Sequence, residues 1–277
     1  MAFTWTETQK KRLSELNYKE SLEVQFAEVK ERDLAFKQHE KQLIAFGKQH
    51  LEELRLEIKK PALCALQEKL AATLIAEGFT QVTTPTIISK SMLAKMTVDV
   101  QHELFSQLFW LDDKKCLRPM LAPNLYYISK DLLRLWDKPV RIFEIGSCFR
   151  KESQGNTHLN EFTMINLVEW GLPEEERHQR LAQLADIVMK AAGLADYVLE
   201  KENSVVYGDT VDVMYKGIEA ASGAMGPHFL DGDWGISSTW VGLGFGLERL
   251  VMMAKNGNNV KSYSKSITYL DGVRLNI

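Results

Sequence analysis

Cysteine is scarce: Cys64, Cys116 and Cys148 are the only three in 277 residues, and they show neither C-x-x-C spacing nor histidines at metal-ligand intervals. That excludes a disulfide framework and a zinc ribbon. No apolar run approaches the roughly 20 residues that span a bilayer. The opening "MAFTWTETQKKRL" has no apolar core of a secretory signal. These absences predict a soluble protein of the reducing cytoplasm. Charge of one sign is also missing, since the net charge is -3, so bulk charge attracts neither DNA nor a membrane surface. Any nucleic-acid contact must come from a local patch. The chain has no G-x-x-x-x-G-K-[ST], no internal repeat and no β-α-β rhythm, so phosphate handling here would use a fold other than the P-loop or dinucleotide-binding type.

What is present reads as helices interspersed with hairpins. Residues 6–60 are charge-dense and free of proline, with Leu22, Phe26 and Val29 at helical spacing, which predicts two or three surface helices. Their lysines and arginines (Lys10, Lys11, Arg12, Lys30, Arg32, Lys37, Lys41) balance the acids, so this segment reads equally as a solvated face or an RNA-facing one. Pro61, then Leu63, Leu66, Leu70 and Leu74, then Gly78, punctuate one amphipathic helix. "FTQVTTPTIIS" predicts a strand broken by Pro85, "LFSQLFWLD" with "KKCLRPML" a hairpin, and "APNLYYISKDLLRLW" a helix.

"PVRIFEIGSCFRKE" and "EFTMINLVEWG" predict a long antiparallel hairpin, and residues 173–193 a helix. "TVDVMYKGIEAASGAMG" predicts a second hairpin, turning at Lys216-Gly217. The chain closes with strand, glycine turn and helix over residues 242–255. The fold class is α+β, an antiparallel sheet flanked by helices with an N-terminal helical segment.

Four charges interrupt apolar sequence near strand ends: Arg150, Glu152, Glu219 and Arg249. One alone reads best as a structural ion pair. Together, beside the Gly-x-Gly of "GLGFGLERL", they suit nucleotide chemistry: guanidinium forks for phosphates, a carboxylate for Mg²⁺, and bare backbone against a substrate.

These blocks also carry a resemblance. "GFTQVTTP", "FRKE" with "HLNEF", and "GFGLERL" resemble motifs 1, 2 and 3 of class II aminoacyl-tRNA synthetases. "LRPMLAPNLY", "EIGSCFRKES", "EFTMINLV", "VYGDTVDVM" and "MGPHFLD" narrow the likeness, from about Phe26 to the C-terminus, to the pyrrolysyl-tRNA synthetase family. The order of the blocks makes chance agreement implausible.

The resemblance implies an ATP-dependent ligase, a homodimer built on motif 1, with Mg²⁺, a cognate tRNA and pyrrolysine or another lysine derivative as partners, and no DNA or membrane. It implies a tRNA-contacting segment over 1–60 and a catalytic domain over 61–277. Because no sequence is left for a separate N-terminal tRNA-binding domain, the chain resembles the stand-alone subclass. In the family's pattern Arg150 binds the α-phosphate and Arg249 the ATP tail and adenine face. Glu219 and Ser222 hold the metal, Phe162 stacks on adenine, and Glu152, His158 and Leu159 meet adenine and triphosphate. From residue type alone, Phe162 reads equally as a core ring and His158 as a solvated loop residue.

The implied amino-acid pocket comprises Ala122, Leu125, Tyr126, Ser129, Asn166, Val168, Tyr207, Ala224, Trp240, Gly242 and Gly244, with Asn166 meeting the acyl carbonyl. Tyr126 and Trp240 also read as core aromatics. Ser129 stands where the family carries a large aliphatic residue and Gly223 where it carries alanine; both are expected to enlarge or loosen the site. Glu248 is expected to orient neighbouring polar groups. The alternatives from other classes are a ligase acting on a non-tRNA acceptor and a regulatory paralogue.

Overall fold

The computed structural model describes residues 2–151, 159–204 and 208–277. Helices α1 (Glu7–Glu15) and α2 (Val29–Glu53) open the chain. Thr6 and Gln9 cap α1 reciprocally, satisfying two of its orphan amides. Leu22 and Phe26, expected on a helix, lie instead in the irregular connection. Phe26 is held there by backbone bonds with Phe3 and packs 4.5 Å from Trp5, in a small core with Leu13 and Tyr18.

Helix α3 (Ala62–Ala76) follows Pro61 and stops at Gly78, whose φ of +83° is left-handed backbone that suits glycine. The expected single strand after it is two short ones, β1 (Thr80–Gln81) and β2 (Ile87–Ser89), belonging to different sheets. Pro85 sits between them, where no ladder amide is required. Helices α4 (Lys90–Ala94) and α5 (Glu103–Ser106) precede β3 (Lys115–Leu117). The expected hairpin of "LFSQLFWLD" with "KKCLRPML" is therefore corrected. Its first half begins as α5, and β3 pairs with β2, leaving a single bridge between Trp110 and Cys116.

The long amphipathic helix α6 (Ala122–Leu135) leads into β4 (Val140–Phe149) and β5 (Glu161–Trp170), the antiparallel hairpin expected. After a 3₁₀ turn at Glu174–Glu176 come α7 (Arg177–Ala191), β6 (Tyr197–Ser204), β7 (Gly208–Tyr215), β8 (Ile218–Gly226), α8 (Asp231–Trp234), β9 (Trp240–Gly246) and α9 (Leu247–Ala254), then the small hairpin β10 (Tyr269–Leu270) and β11 (Val273–Arg274). Lys216 and Gly217, with φ of +49° and +77°, make the expected tight turn between β7 and β8.

The main sheet has seven strands in the order β1-β4-β5-β9-β8-β7-β6, antiparallel except for the parallel β1-β4 edge. Strand alternation divides its side chains between two cores. Phe143, Ile165, Leu167, Leu243 and Phe245 face α3, α7 and α9. Ile142, Val168, Ala224 and Trp240 face α6 and α8. Among the described residues no helix is long and apolar enough to cross a membrane.

Candidate active site

The face toward α6 carries most of the candidate residues because the register aligns them. Across the sheet, Glu144, Asn166, Gly244, Ser222 and Asp212 are successive Cα partners, forming one row. Val168, Gly242 and Ala224 form the adjacent row. A Cβ on Gly244 would stand 3.0 Å from Asn166 Oδ1, so glycine there leaves the amide its room. Asn166 Oδ1 and Asp212 Oδ1 are buried without a hydrogen-bond partner among the described residues. Buried polar atoms are rarely left so, which marks this row for a polar ligand.

Glu219 joins this face through a bulge. It is three positions from Ser222, which on a regular strand would put them on opposite faces. Here Val213 pairs with Ala221 and Met214 with Glu219, so Ala220 is extra. Ala220 and Ala221 both enter the helix-side core, and Glu219 emerges beside Ser222. The resulting donors are hard oxygens, as Mg²⁺ prefers. Arg249, from the first turn of α9, donates through Nη1 to the Glu219 carbonyl at 2.7 Å and stands 3.5 Å from its carboxylate.

Arg150 follows β4, where its amide closes the hairpin on the Asn160 carbonyl. Its Nε donates to the Pro119 carbonyl at 2.9 Å, and its guanidinium lies 5.4 Å from the centre of the Phe162 ring. The half-exposed Phe162 is thus the neighbour of a cation and not a ring of either core. Leu159 packs against the helix-side core. Glu152, His158 and Tyr207 lie outside the described residues.

Helix α6 covers the sheet with Ala122, Leu125, Tyr126 and Ser129, which recur at i, i+3, i+4 and i+7 and are all buried. Ser129 is fully buried, and its Oγ has no hydrogen-bond partner among the described residues. Tyr126 stacks on Trp234 at 5.4 Å and meets Trp170 and Trp240 edge-on at 5.5 and 5.8 Å. The expectation for Gly223 is corrected: a Cβ there would strike Leu243 at 2.7 Å and approach Leu181, so the position lies on the helix-side face and borders no part of the candidate pocket.

Several residues escaped the sequence reading. Arg118 and Glu144 form a buried ion pair at 2.7 Å. Arg118 also donates to Thr84 Oγ1 and the Ser147 carbonyl, while Asn124 on α6 donates to Thr84 Oγ1 and the Pro85 carbonyl. This network ties the segment after β1 to α6 and β4. A Cβ on Gly146 would fall 2.1 Å from the Arg118 guanidinium, so that glycine was a readable signal of a close approach. Asp231 was missed as well, although it closes the stretch "MGPHFLD". Glu248 is buried and accepts the Thr163 amide with both carboxylate oxygens, which gives it the orienting contact expected. Burial pushes the thiols of Cys116 and Cys148 up to about 11 and about 12, so neither is a thiolate at neutral pH.

Residues 109–255 match the family described as the tRNA synthetase class II core domain (G, H, P, S and T). The chain is similar to a crystal structure of pyrrolysyl-tRNA synthetase from Desulfitobacterium hafniense, with 60% identity over 100% of both chains and a TM-score of 0.95. A second structure from that organism, titled as a pyrrolysyl tRNA synthetase, matches at 60% identity and TM-score 0.92, covering 99% of this chain and 96% of that one. A more distant similarity, 26% identity over 143 residues, links it to the O-phosphoserine--tRNA(Cys) ligase of Methanoregula boonei. That match takes in 47% of this chain and only 26% of the relative.

Proposed function

The chain belongs to the pyrrolysyl-tRNA synthetases within the class II synthetase family, and from that premise we propose that it activates pyrrolysine or a related Nε-acyl lysine with ATP and transfers it to a cognate tRNA. The observation that carries this reading is the single face on which Asn166, Gly244, Ser222 and the bulge-delivered Glu219 stand together, with Arg249 bonded to the Glu219 backbone.

In the first step the substrate carboxylate attacks the α-phosphorus of ATP, giving an aminoacyl adenylate and pyrophosphate. No general base is needed, since that carboxylate is already ionised at neutral pH. The protein's work is positioning and electrostatic stabilisation. Arg150 is assigned to the α-phosphate, where its fork can follow charge moving toward pyrophosphate. Phe162 is assigned to adenine, and Arg249 to the ATP tail and adenine face. Glu219 and Ser222 would hold Mg²⁺, which when bound neutralises phosphate charge. Glu152, His158 and Leu159 are assigned to the remaining adenine and triphosphate contacts.

Asn166 is assigned to the acyl carbonyl of the substrate, to which its Nδ2 can donate, while its buried, unpartnered Oδ1 is an acceptor for the adjoining amide N–H. The aliphatic part of the substrate is assigned to the space between Val168, Ala224, Gly242 and Gly244 on the sheet and Ala122, Leu125, Tyr126 and Ser129 on α6, with Trp240 beside them, and Tyr207 is assigned to the same pocket.

Residues 1–60 are assigned to tRNA and 61–277 to catalysis. Lys10, Arg12 and Arg32 are engaged with Glu23, Glu40 and Asp33, while Lys11, Lys30, Lys37 and Lys41 are exposed and are the better phosphate contacts. The proposed assembly is a cytoplasmic homodimer. Pyrophosphate exchange tests the activation step. Exchange that requires a lysine derivative supports the reading, and exchange with none across a graded series of such derivatives overturns it.

A further inference from the structure

Asp231 is a carboxylate held 4% exposed inside an aromatic cluster, and neither the phosphate chemistry nor the metal site accounts for it. Among the described residues it receives three donors. The Tyr126 hydroxyl donates to Oδ1 at 2.9 Å, the Trp240 indole nitrogen straddles both oxygens at 3.1 and 3.0 Å, and the His228 amide donates to Oδ2 at 2.7 Å. The indole and the backbone amide can only donate, and the Tyr126 hydroxyl donates here as well, so both oxygens serve as acceptors.

The two side chains it joins come from opposite walls of the substrate enclosure. Tyr126 projects from α6, and Trp240 begins β9 on the same face as Gly242 and Gly244. Their rings meet at 84° with centroids 5.8 Å apart, and both lean on Trp170. At the same indole nitrogen the chain makes room, since a Cβ on Gly226 would fall 1.8 Å from it. The indole is therefore located by Asp231 in its plane and by glycine beside it.

We propose that Asp231 is a specificity-determining positioning residue, which clamps Tyr126 and Trp240 into a fixed end wall and so limits how far a substrate side chain can reach. The proposal rests on the assignment of the amino-acid pocket above. It follows that loosening the clamp changes amino-acid binding and the choice among side-chain lengths, while leaving ATP handling alone.

The test is Asp231→Asn in the full-length protein. An amide offers an acceptor on one side only, so either the Tyr126 hydroxyl must turn to accept from the new nitrogen or a donor loses its partner, and in both cases the bonds lose the assistance of the carboxylate charge. A lost hydrogen bond to a charged group predicts a KM for Nε-acyl lysines raised roughly tenfold, with a flattened preference between short and long acyl chains. The KM for ATP and the saturated exchange rate should change little. The Trp240 indole N–H resonance, assigned by its disappearance in Trp240→Phe, should move.

An unchanged amino-acid KM alongside a displaced indole resonance overturns the proposal. So does a uniform fall in every kinetic constant with a lowered Tm, which indicates support of the fold alone. If the asparagine variant does not fold, Tyr126→Phe decides, because it removes one donor and keeps the ring: a raised amino-acid KM supports the clamp, and an unchanged one overturns it. Wild-type protein that shows no exchange with any lysine derivative refutes the pocket assignment itself, a result distinct from any of these.

Discussion

Glu248 accepts the Thr163 amide with both carboxylate oxygens, at 2.9 Å each, across the junction of α9 and β5. Burial pushes its carboxyl above the ordinary 4.5, more strongly than the amide bonds pull it down. Between 4.5 and that raised value the folded state holds more protons than the unfolded state, so stability falls as pH rises through this window. Glu248→Gln keeps an oxygen for the Thr163 amide and removes the titration. Its Tm should decline less than that of the wild type as pH rises above 4.5. Parallel Tm profiles for the two proteins would show that Glu248 does not titrate in this way.

Arg150 is oriented by the Pro119 carbonyl and the Phe162 ring, and the contact of its guanidinium with phosphate should strengthen as charge develops. Arg150→Ala should slow pyrophosphate exchange roughly 10²-fold or more with Tm nearly unchanged. Arg150→Lys should recover only part of the rate, because an ammonium cannot replace the two-pronged contact. An exchange rate untouched by the alanine variant would remove Arg150 from the phosphate site.

Ser129 presents a buried hydroxyl with no partner among the described residues, so Ser129→Ala should be neutral or stabilising, by on the order of 1 kcal/mol. Ser129→Met should lower kcat/KM for the bulkiest lysine derivatives and spare compact ones, since apolar pockets discriminate by about 1 to 3 kcal/mol per methylene. Equal loss toward every derivative would mean that the serine packs the fold and does not border the substrate.

The proposed dimer uses the segment from Leu63 to Pro85 and its neighbourhood. Ile75 on α3 and Ile87 on β2 are 55% and 51% exposed, two large apolar side chains available for burial against a second copy. Replacing both with aspartate should give a monomer with little exchange activity. A variant that sediments as the wild type does would move the interface elsewhere.

The legible parts of the chain were those where local pattern and tertiary role coincide. Helix α6 announced itself through one apolar face, and the β4-β5 and β7-β8 hairpins through alternation and the Lys216-Gly217 turn. The segment from 79 to 117 misled because β2 and β3 pair across a gap filled by two short helices, and propensity does not encode a non-local partner. Gly223 was assigned to the wrong face for a related reason: a block matched as a string says nothing about which side of the sheet each letter occupies. The bulge at Ala220 compounds this, since it changes the parity of Glu219 relative to Ser222 with no sequence signal beyond two adjacent small residues. Asp231 was missed because the Tyr126 it holds lies far away in sequence, and of the Arg118–Glu144 pair only the close approach at Gly146 was legible.

Charging of the cognate tRNA tests the central claim most directly, because it requires the phosphate residues, the amino-acid enclosure and the N-terminal helices to act on one reaction. With purified protein, tRNA, Mg²⁺ and ATP, the account predicts acylated tRNA in the presence of pyrrolysine or an Nε-acyl lysine and none with free lysine. Adenylate formation without any transfer to tRNA, or equal charging with free lysine, would contradict it.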